Sequence, residues 1–417
     1  MGNLIKDIII TQKREIEIKQ SEKYVRREAN INNVNNNVIK VIIGPRRAGK
    51  SSFAINEIKE KFAYVNFDDE RIAKLENNDD IINALNTVYN NTKILFFDEI
   101  QNLENWELFV NRLQRQDYNL IITGSNSNLL SKNLSTHLTG RYSQTIIFPF
   151  SFKEFIGNEE LTESEIKEKL SNYLEYGGFP EPLFKKINYK EYLSTLFDSI
   201  IYKDIVKSYN IKLVSAMENI ANYIISNIST ELSYNRIRDL AGLKSVHTVE
   251  KYLSYMEEAF IFFRLNKFSF KKREQIKSNK KIYCIDNGFA YAKSFRFMDN
   301  LGKLYENVVA ISLKKREMNR EIELYYWKNS QNEEVDFVIK QGNNIIQIIQ
   351  VCYSLVNNKT KNREIRALLK SSKELDCENL FIITRDYEAE KEEEWFGINR
   401  KIKYIPLWKW LLNENST

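Results

Sequence analysis

Val38-Ile-Lys-Val-Ile-Ile-Gly44-Pro-Arg-Arg-Ala-Gly-Lys50-Ser51 is the stretch whose reading decides the fold. Its first six residues are almost wholly apolar and β-branched, which suits a strand buried on both faces of a parallel sheet. Residues 44–51 then fit the spacing G-x4-G-K-S. Ala54, Ile58 and Phe62 follow on one face of a helix. Strand, glycine loop and helix in that order turn backbone N–H groups and a helix N-terminus toward a phosphate. Lys50 supplies a cation for β- and γ-phosphate charge, and Ser51 a hydroxyl for Mg2+. The expected nucleotide contacts are therefore Gly44, Pro45, Arg46, Arg47, Ala48, Gly49, Lys50, Ser51 and Ser52. An ordinary strand–turn–helix is the competing reading.

Lys93-Ile-Leu-Phe-Phe-Asp98-Glu99 weighs against it. Four apolar residues make a buried strand that ends in two carboxylates. Asp98, with Ser51, is the expected holder of Mg2+, and Glu99 the group that polarises an attacking water. A third run, 119–123, leads into Gly124-Ser125-Asn126. A polar side chain at that strand end can position water or touch the γ-phosphate, with Asn126 the first choice and Ser125 the second. Arg141, in Leu138-Thr-Gly-Arg141, is either an arginine finger, in cis or across a subunit interface, or a structural ion-pair partner.

Outward from these motifs, runs at 38–43, 62–67, 93–97, 119–123 and 144–148 alternate with helical patterns, which predicts a doubly wound parallel sheet. The motif set resembles archaeal and bacterial AAA-type (P-loop) ATPases that carry a DUF4143-like carboxy-terminal region. The pieces that carry the likeness are residues 44–51, ILFFDEIQ (94–101), IITGSN (121–126), 138–141, FPFSFKEF (148–155) and YGGFPE (176–181). The resemblance implies an ATPase architecture, with ATP and Mg2+ as ligands, rather than a particular substrate.

Beyond residue 160 the expected order is a helical lid (161–212), a winged-helix domain (213–285) and an α/β domain (286–417), after an amino-terminal helical segment and linker (1–37) and the ATPase core (38–160). In the winged helix, Ile237, Leu240 and Ala241 are expected to face inward, as are Val246, Val249, Leu253 and Met256 on the second helix. Lys244, His247, Thr248 and Lys251 are expected to face outward. A hairpin wing over 260–285 carries Arg264, Lys267, Lys271, Lys272, Arg273, Lys277, Lys280 and Lys281 against Glu274 alone. Such a cluster suits DNA phosphates, with Lys271, Lys272 and Arg273 at its centre. A lid or protein-contact role is the alternative.

The carboxy-terminal order αβββαβ resembles the restriction-endonuclease-like (PD-(D/E)xK) nuclease fold, in which a helix Glu, a strand Asp and a Glu-x-Lys hold metal. Glu306 and Asp336 match two places, but Gln350-Val-Cys352 stands where Glu-x-Lys is expected, so a degenerate site without cleavage is the reading. Residues 390–394 are read as a solvated helix face.

Composition bounds the rest. The 417 residues suit two or three domains, and a net charge of +6 permits a nucleic-acid partner without requiring one. Three well-separated cysteines (Cys284, Cys352, Cys377) and two histidines point away from disulfide and zinc frameworks. No run has membrane-spanning length, and the cytoplasm is the expected compartment. The functional expectation is a nucleotide-driven motor or switch acting on DNA or a DNA-bound partner, as a monomer or a homo-oligomer. The rivals are a slow nucleotide-sensing switch that binds protein and an ATP-gated nuclease.

Overall fold

A computed structural model describes residues 2–31, 34–73, 75, 77–125, 141–185, 187–294 and 301–413. The chain forms two compact units. One holds residues 1–150 with the short pieces 183–185 and 258–260, and the other holds 151–182, 186–257 and 261–417.

In the first unit, β1 (Ile39–Ile43), β2 (Ala63–Asn66), β3 (Ile94–Asp98), β4 (Asn119–Gly124) and β5 (Tyr142–Ile146) form a sheet in the order β2-β3-β4-β1-β5 among the described residues. Every neighbouring pair is parallel. β1 and β3 are buried at each position, as their mostly apolar runs require, and the buried Lys40 of β1 donates to Asn36 Oδ1 (2.7 Å). Helices Lys50–Glu57, Asp79–Val88 and Trp106–Arg115 lie between the strands in sequence, as parallel crossovers demand. The amino-terminal helix, Gly2–Ser21, packs on β2 and on helix Asp79–Val88. Its buried stripe is Ile5, Ile8, Ile9, Gln12 and Ile16, at helical spacing. Gln12 closes the end of β2 by donating to the Asn66 carbonyl (3.2 Å) and accepting from the Asn66 N–H (2.9 Å).

The second unit begins with helices Phe152–Ile156 and Glu163–Tyr176, each opened by a full capping box, at Ser151 and Thr162. Gly177 follows at φ +75°, and a Cβ there would lie 1.7 Å from an Asp286 carboxylate oxygen. Asp286 accepts from the N–H groups of Gly178 (2.7 Å) and Gly288 (2.8 Å). Gly177 is thus the residue that lets this turn dock on a buried carboxylate.

After the helical stretches Pro180–Phe184, Tyr189–Ser199 and Ile200–Lys207 come helix Val214–Ile225, β6 (Thr230–Glu231), helices Tyr234–Leu240 and Val246–Glu258, β7 (Phe262–Lys267), helix Lys272–Lys277 and β8 (Lys281–Cys284). β6 and β7 both pair antiparallel with β8. Two expectations need correction. The expected hairpin has a helix inserted between its strands. Leu240 is 56% exposed, because its helix ends there, while Leu243, past the turn, is buried.

The remaining strands are β9 (Glu323–Lys328), β10 (Glu334–Gln341), β11 (Asn344–Val351), β12 (Leu380–Thr384), β13 (Ala389–Trp395) and β14 (Ile398–Pro406). They continue the sheet of β6–β8, since β7 runs parallel to β9 through Asn266↔Tyr325 and Lys267↔Tyr326. Among the described residues the order is β13-β14-β12-β11-β10-β9-β7-β8-β6. Helices Leu301–Met318 and Asn358–Leu375 pack against this sheet. The acidic run 390–394 is strand β13 rather than a helix. It is solvated, but its glutamates face Lys403, Lys401 and Arg400 across β14, and such charges protect an exposed edge. The three cysteines are buried and free. No helix of the described residues is long and apolar enough to cross a membrane.

Candidate nucleotide site

The loop after β1 has the backbone that its glycines were expected to allow. Gly44 lies at φ +149°, and a Cβ there would sit 2.0 Å from the Ile147 carbonyl oxygen. Gly49, at φ +93°, caps helix Lys50–Glu57 in the left-handed region. Lys50 is buried, donating to the carbonyls of Gly44 (3.2 Å) and Pro45 (3.1 Å), and stands 3.7 Å from Glu99. Pro45 and Ala48 are buried, Arg46 and Ser51 half-buried, and Arg47 and Ser52 exposed.

Asp98 ends β3 and is buried. Its Oδ1 accepts from Ser51 Oγ (2.9 Å) and from Thr123 Oγ1, and its Oδ2 accepts from Tyr64 OH (3.0 Å). Thr123 reaches it because β4 lies between β1 and β3 in the sheet. Burial raises the Asp98 carboxyl above the usual range, and the Glu99 charge adds to this, against the three hydroxyl donors.

Glu99 adopts φ +51°, a left-handed conformation uncommon for a side-chain-bearing residue. Its N–H donates to Thr123 Oγ1 (3.0 Å), and its carboxylate accepts from Gln101 Nε2 (2.5 Å). Gln101 also lies 3.4 Å from Ser125 Oγ. Burial pushes the Glu99 carboxyl up, but Lys50, Gln101, Arg46 and Ser125 together outweigh it and hold it below the usual glutamate range. It is therefore an ionised carboxylate at neutral pH, 22% exposed, beside a lysine and at the carboxyl end of a parallel sheet. That is the chemistry needed to accept a proton from water near a bound phosphate. Ser51 and Asp98, one hydroxyl and one carboxylate in contact, are a donor set that fits a small hard cation.

The structure brings Lys50, Ser51, Asp98 and Glu99 together. Asn126 lies outside the described residues. Arg141 is exposed just before β5, where its carbonyl accepts from the Ile39 N–H (3.0 Å). Sequence reasoning missed Tyr64, Thr123 and Gln101 as parts of the site. Thr123 and Gln101 stand inside the quoted motifs, and their position at strand ends was the available signal.

In the second unit, Lys244, His247 and Lys251 are exposed and Thr248 half-buried, while Lys271, Lys272 and Arg273 are exposed around helix Lys272–Lys277. Arg264 and Lys281, expected in the same basic wing, are not on its surface. Arg264 pairs with Glu257, and Lys281 is buried. Glu306 and Asp336 come together on one partner, the Lys281 ammonium, at 2.7 and 3.0 Å. Gln350 does not join them as a ligand: its carbonyl accepts from the Asp336 N–H (3.2 Å) and its amide donates to Glu364 (2.8 Å).

Residues 36–156 match a family described as an AAA domain, AAA_14. Residues 167–298 match the domain of unknown function DUF8612, and residues 301–410 match DUF4143. The uncharacterized protein MJ1544 of Methanocaldococcus jannaschii is 37% identical over 95% of this chain and 93% of its own length. An uncharacterized protein of Haemophilus influenzae is 30% identical over 77% of this chain and 84% of its own. The solved structure of C. elegans PCH-2 aligns with 61% of this chain and 69% of that chain, at 14% identity and a TM-score of 0.22.

Proposed function

The chain belongs to the family that joins an AAA-type P-loop domain to a DUF4143 domain, and from that premise we propose a Mg2+-dependent ATP hydrolase that couples its nucleotide state to DNA or a DNA-bound partner. The observation that carries the hydrolase reading is the contact of Ser51 with Asp98 and of Lys50 with Glu99 on one phosphate-type loop. In this reading the loop from Gly44 to Ser52 surrounds the phosphates. Lys50 turns from the loop carbonyls to phosphate oxygens, and Ser51 with Asp98 holds Mg2+. When bound, the metal offsets phosphate charge. Glu99 takes the proton of the attacking water, and Gln101 with Thr123 sets its orientation. Arg141, exposed at its strand start, is open to a neighbouring subunit.

The DNA part rests on the second unit. The order helix, strand, helix, helix, strand, helix, strand, with β6 and β7 flanking β8, supports a winged-helix reading of 213–285 whose wing carries an inserted helix. The exposed Lys244, His247, Lys251, Lys271, Lys272 and Arg273 support phosphate contact.

The test is Mg2+-dependent ATP hydrolysis with and without DNA, alongside nucleotide binding. Lys50→Ala is expected to abolish productive binding. Glu99→Gln is expected to keep binding and to slow turnover by roughly 10²–10⁴-fold. Normal hydrolysis by Glu99→Gln would remove Glu99 from the role of base.

A further inference from the structure

Lys281 is the first residue of β8 and is 2% exposed. An ammonium taken this far from water must be paired or give up its proton. Three carboxylate oxygens surround it: Glu306 Oε1 at 2.7 Å, Glu334 Oε1 at 2.7 Å and Asp336 Oδ1 at 3.0 Å. Glu334 and Asp336 are two apart on β10, so they share one face of the sheet, and Glu306 comes from helix Leu301–Met318. An ammonium has three N–H donors, and here each has an oxygen.

The surroundings complete the arrangement. Tyr283, two residues along β8, donates to Glu306 Oε1 (2.7 Å). The second oxygen of Asp336 accepts from the Val351 N–H (2.9 Å). Lys328 stands 3.8 Å from Glu334. Burial opposes a charged Lys281, but the carboxylates and Tyr283 outweigh it and hold its pKa well above the ordinary lysine value. Burial and Asp336 hold the Glu306 carboxyl above its usual range.

We propose that Lys281 is a built-in cation: its ammonium fills the carboxylate site of Glu306, Glu334 and Asp336, the place where such a cluster would otherwise take a divalent metal ion. Three oxygens at 2.7–3.0 Å from one nitrogen would have to move in by about 0.6–1 Å to meet Mg2+ once the ammonium is gone. Lys281 therefore excludes Mg2+ and Mn2+ from this cluster and ties β8 to β10 and to helix Leu301–Met318. The domain keeps the carboxylates without the metal-activated water that a nuclease requires. This assignment is independent of the ATPase reading.

The experiment is a Mn2+ titration of the full chain without nucleotide, followed by electron paramagnetic resonance, on wild type, Asp336→Asn, Lys281→Gln and the double variant. Wild type and Asp336→Asn are expected to bind Mn2+ identically. Lys281→Gln is expected to gain one Mn2+ per chain, which the double variant loses, and Mn2+ is expected to raise the melting temperature of Lys281→Gln alone. Loss of a wild-type Mn2+ site in Asp336→Asn would overturn the proposal. So would a folded Lys281→Gln that gains no site. Should Lys281→Gln or Asp336→Asn fail to fold, wild type against Glu334→Gln decides: equal Mn2+ binding upholds the proposal, and a site lost in Glu334→Gln overturns it.

Discussion

Arg27 stands in a charged stretch before β1, and its neighbours in sequence do not mark it. In the folded chain it is 7% exposed, donates to the carbonyls of Ala48 (3.1 Å) and Phe148, and lies over the Phe150 ring at 4.7 Å. Ala48 belongs to the phosphate-type loop, so a residue from the amino-terminal segment holds that loop from behind. Truncation leaves a buried carbonyl unpaired, a loss of about 1.5–3 kcal/mol for a charge-assisted bond. Arg27→Ala is expected to lower the melting temperature and weaken ATP affinity more than it slows saturated turnover. Binding and kinetic titrations check this, and unchanged affinity would make Arg27 a purely structural residue. Lys50, Ser51, Asp98 and Glu99 could be read from sequence because each stands at a fixed offset from a strand end. Arg27 and Tyr64 could not, because their partners are set by which segments lie side by side in the fold.

At the scale of elements, helix Lys272–Lys277 interrupts what reads as a plain hairpin. It presents Lys271, Lys272, Arg273 and Lys277 to solvent, with Phe270 and Ile276 exposed among them. Periodicity did not reveal it, since six residues with no buried face carry no amphipathic signal. Exchange of Lys271, Lys272 and Arg273 for alanine is expected to weaken DNA binding uniformly across sequences. The slope of log affinity against log salt should fall by about one for each phosphate contact removed. Anisotropy titrations at several salt concentrations measure this, and an unchanged slope would place DNA elsewhere or nowhere. The run 390–394 shows the opposite problem. A block of glutamates has neither period, and only its pairing with β14 makes it a strand.

For the whole molecule, acidity is a sensitive variable because carboxyls are buried in both units. Asp286 is the clearest: burial raises its carboxyl from 3.8 to about 7, against the N–H groups of Gly178 and Gly288. The folded state thus holds this proton more tightly than the unfolded chain. The contribution is complete below pH 3.8 and is lost as pH rises through about 7, a change of roughly 4 kcal/mol at most. Urea unfolding should show stability from this group falling between about pH 4 and pH 7. Asp286→Asn should be less stable at pH 5, because an amide accepts from only one of the two glycine N–H groups, and its pH dependence should be flatter. An equal slope in both proteins would refute the assignment. The sequence by itself determined the parallel sheet, the phosphate-type loop and the two acids that face it. Short-range order is enough for these, since strand, glycine turn and helix follow one another along the chain. Only the tertiary structure decided that β7 joins β9 to make one long sheet, that Lys281 leaves the basic wing for the carboxylates of Glu306, Glu334 and Asp336, and that Arg27 supports the loop. Each of these pairs residues far apart in the chain, and burial then decides which charges keep a partner.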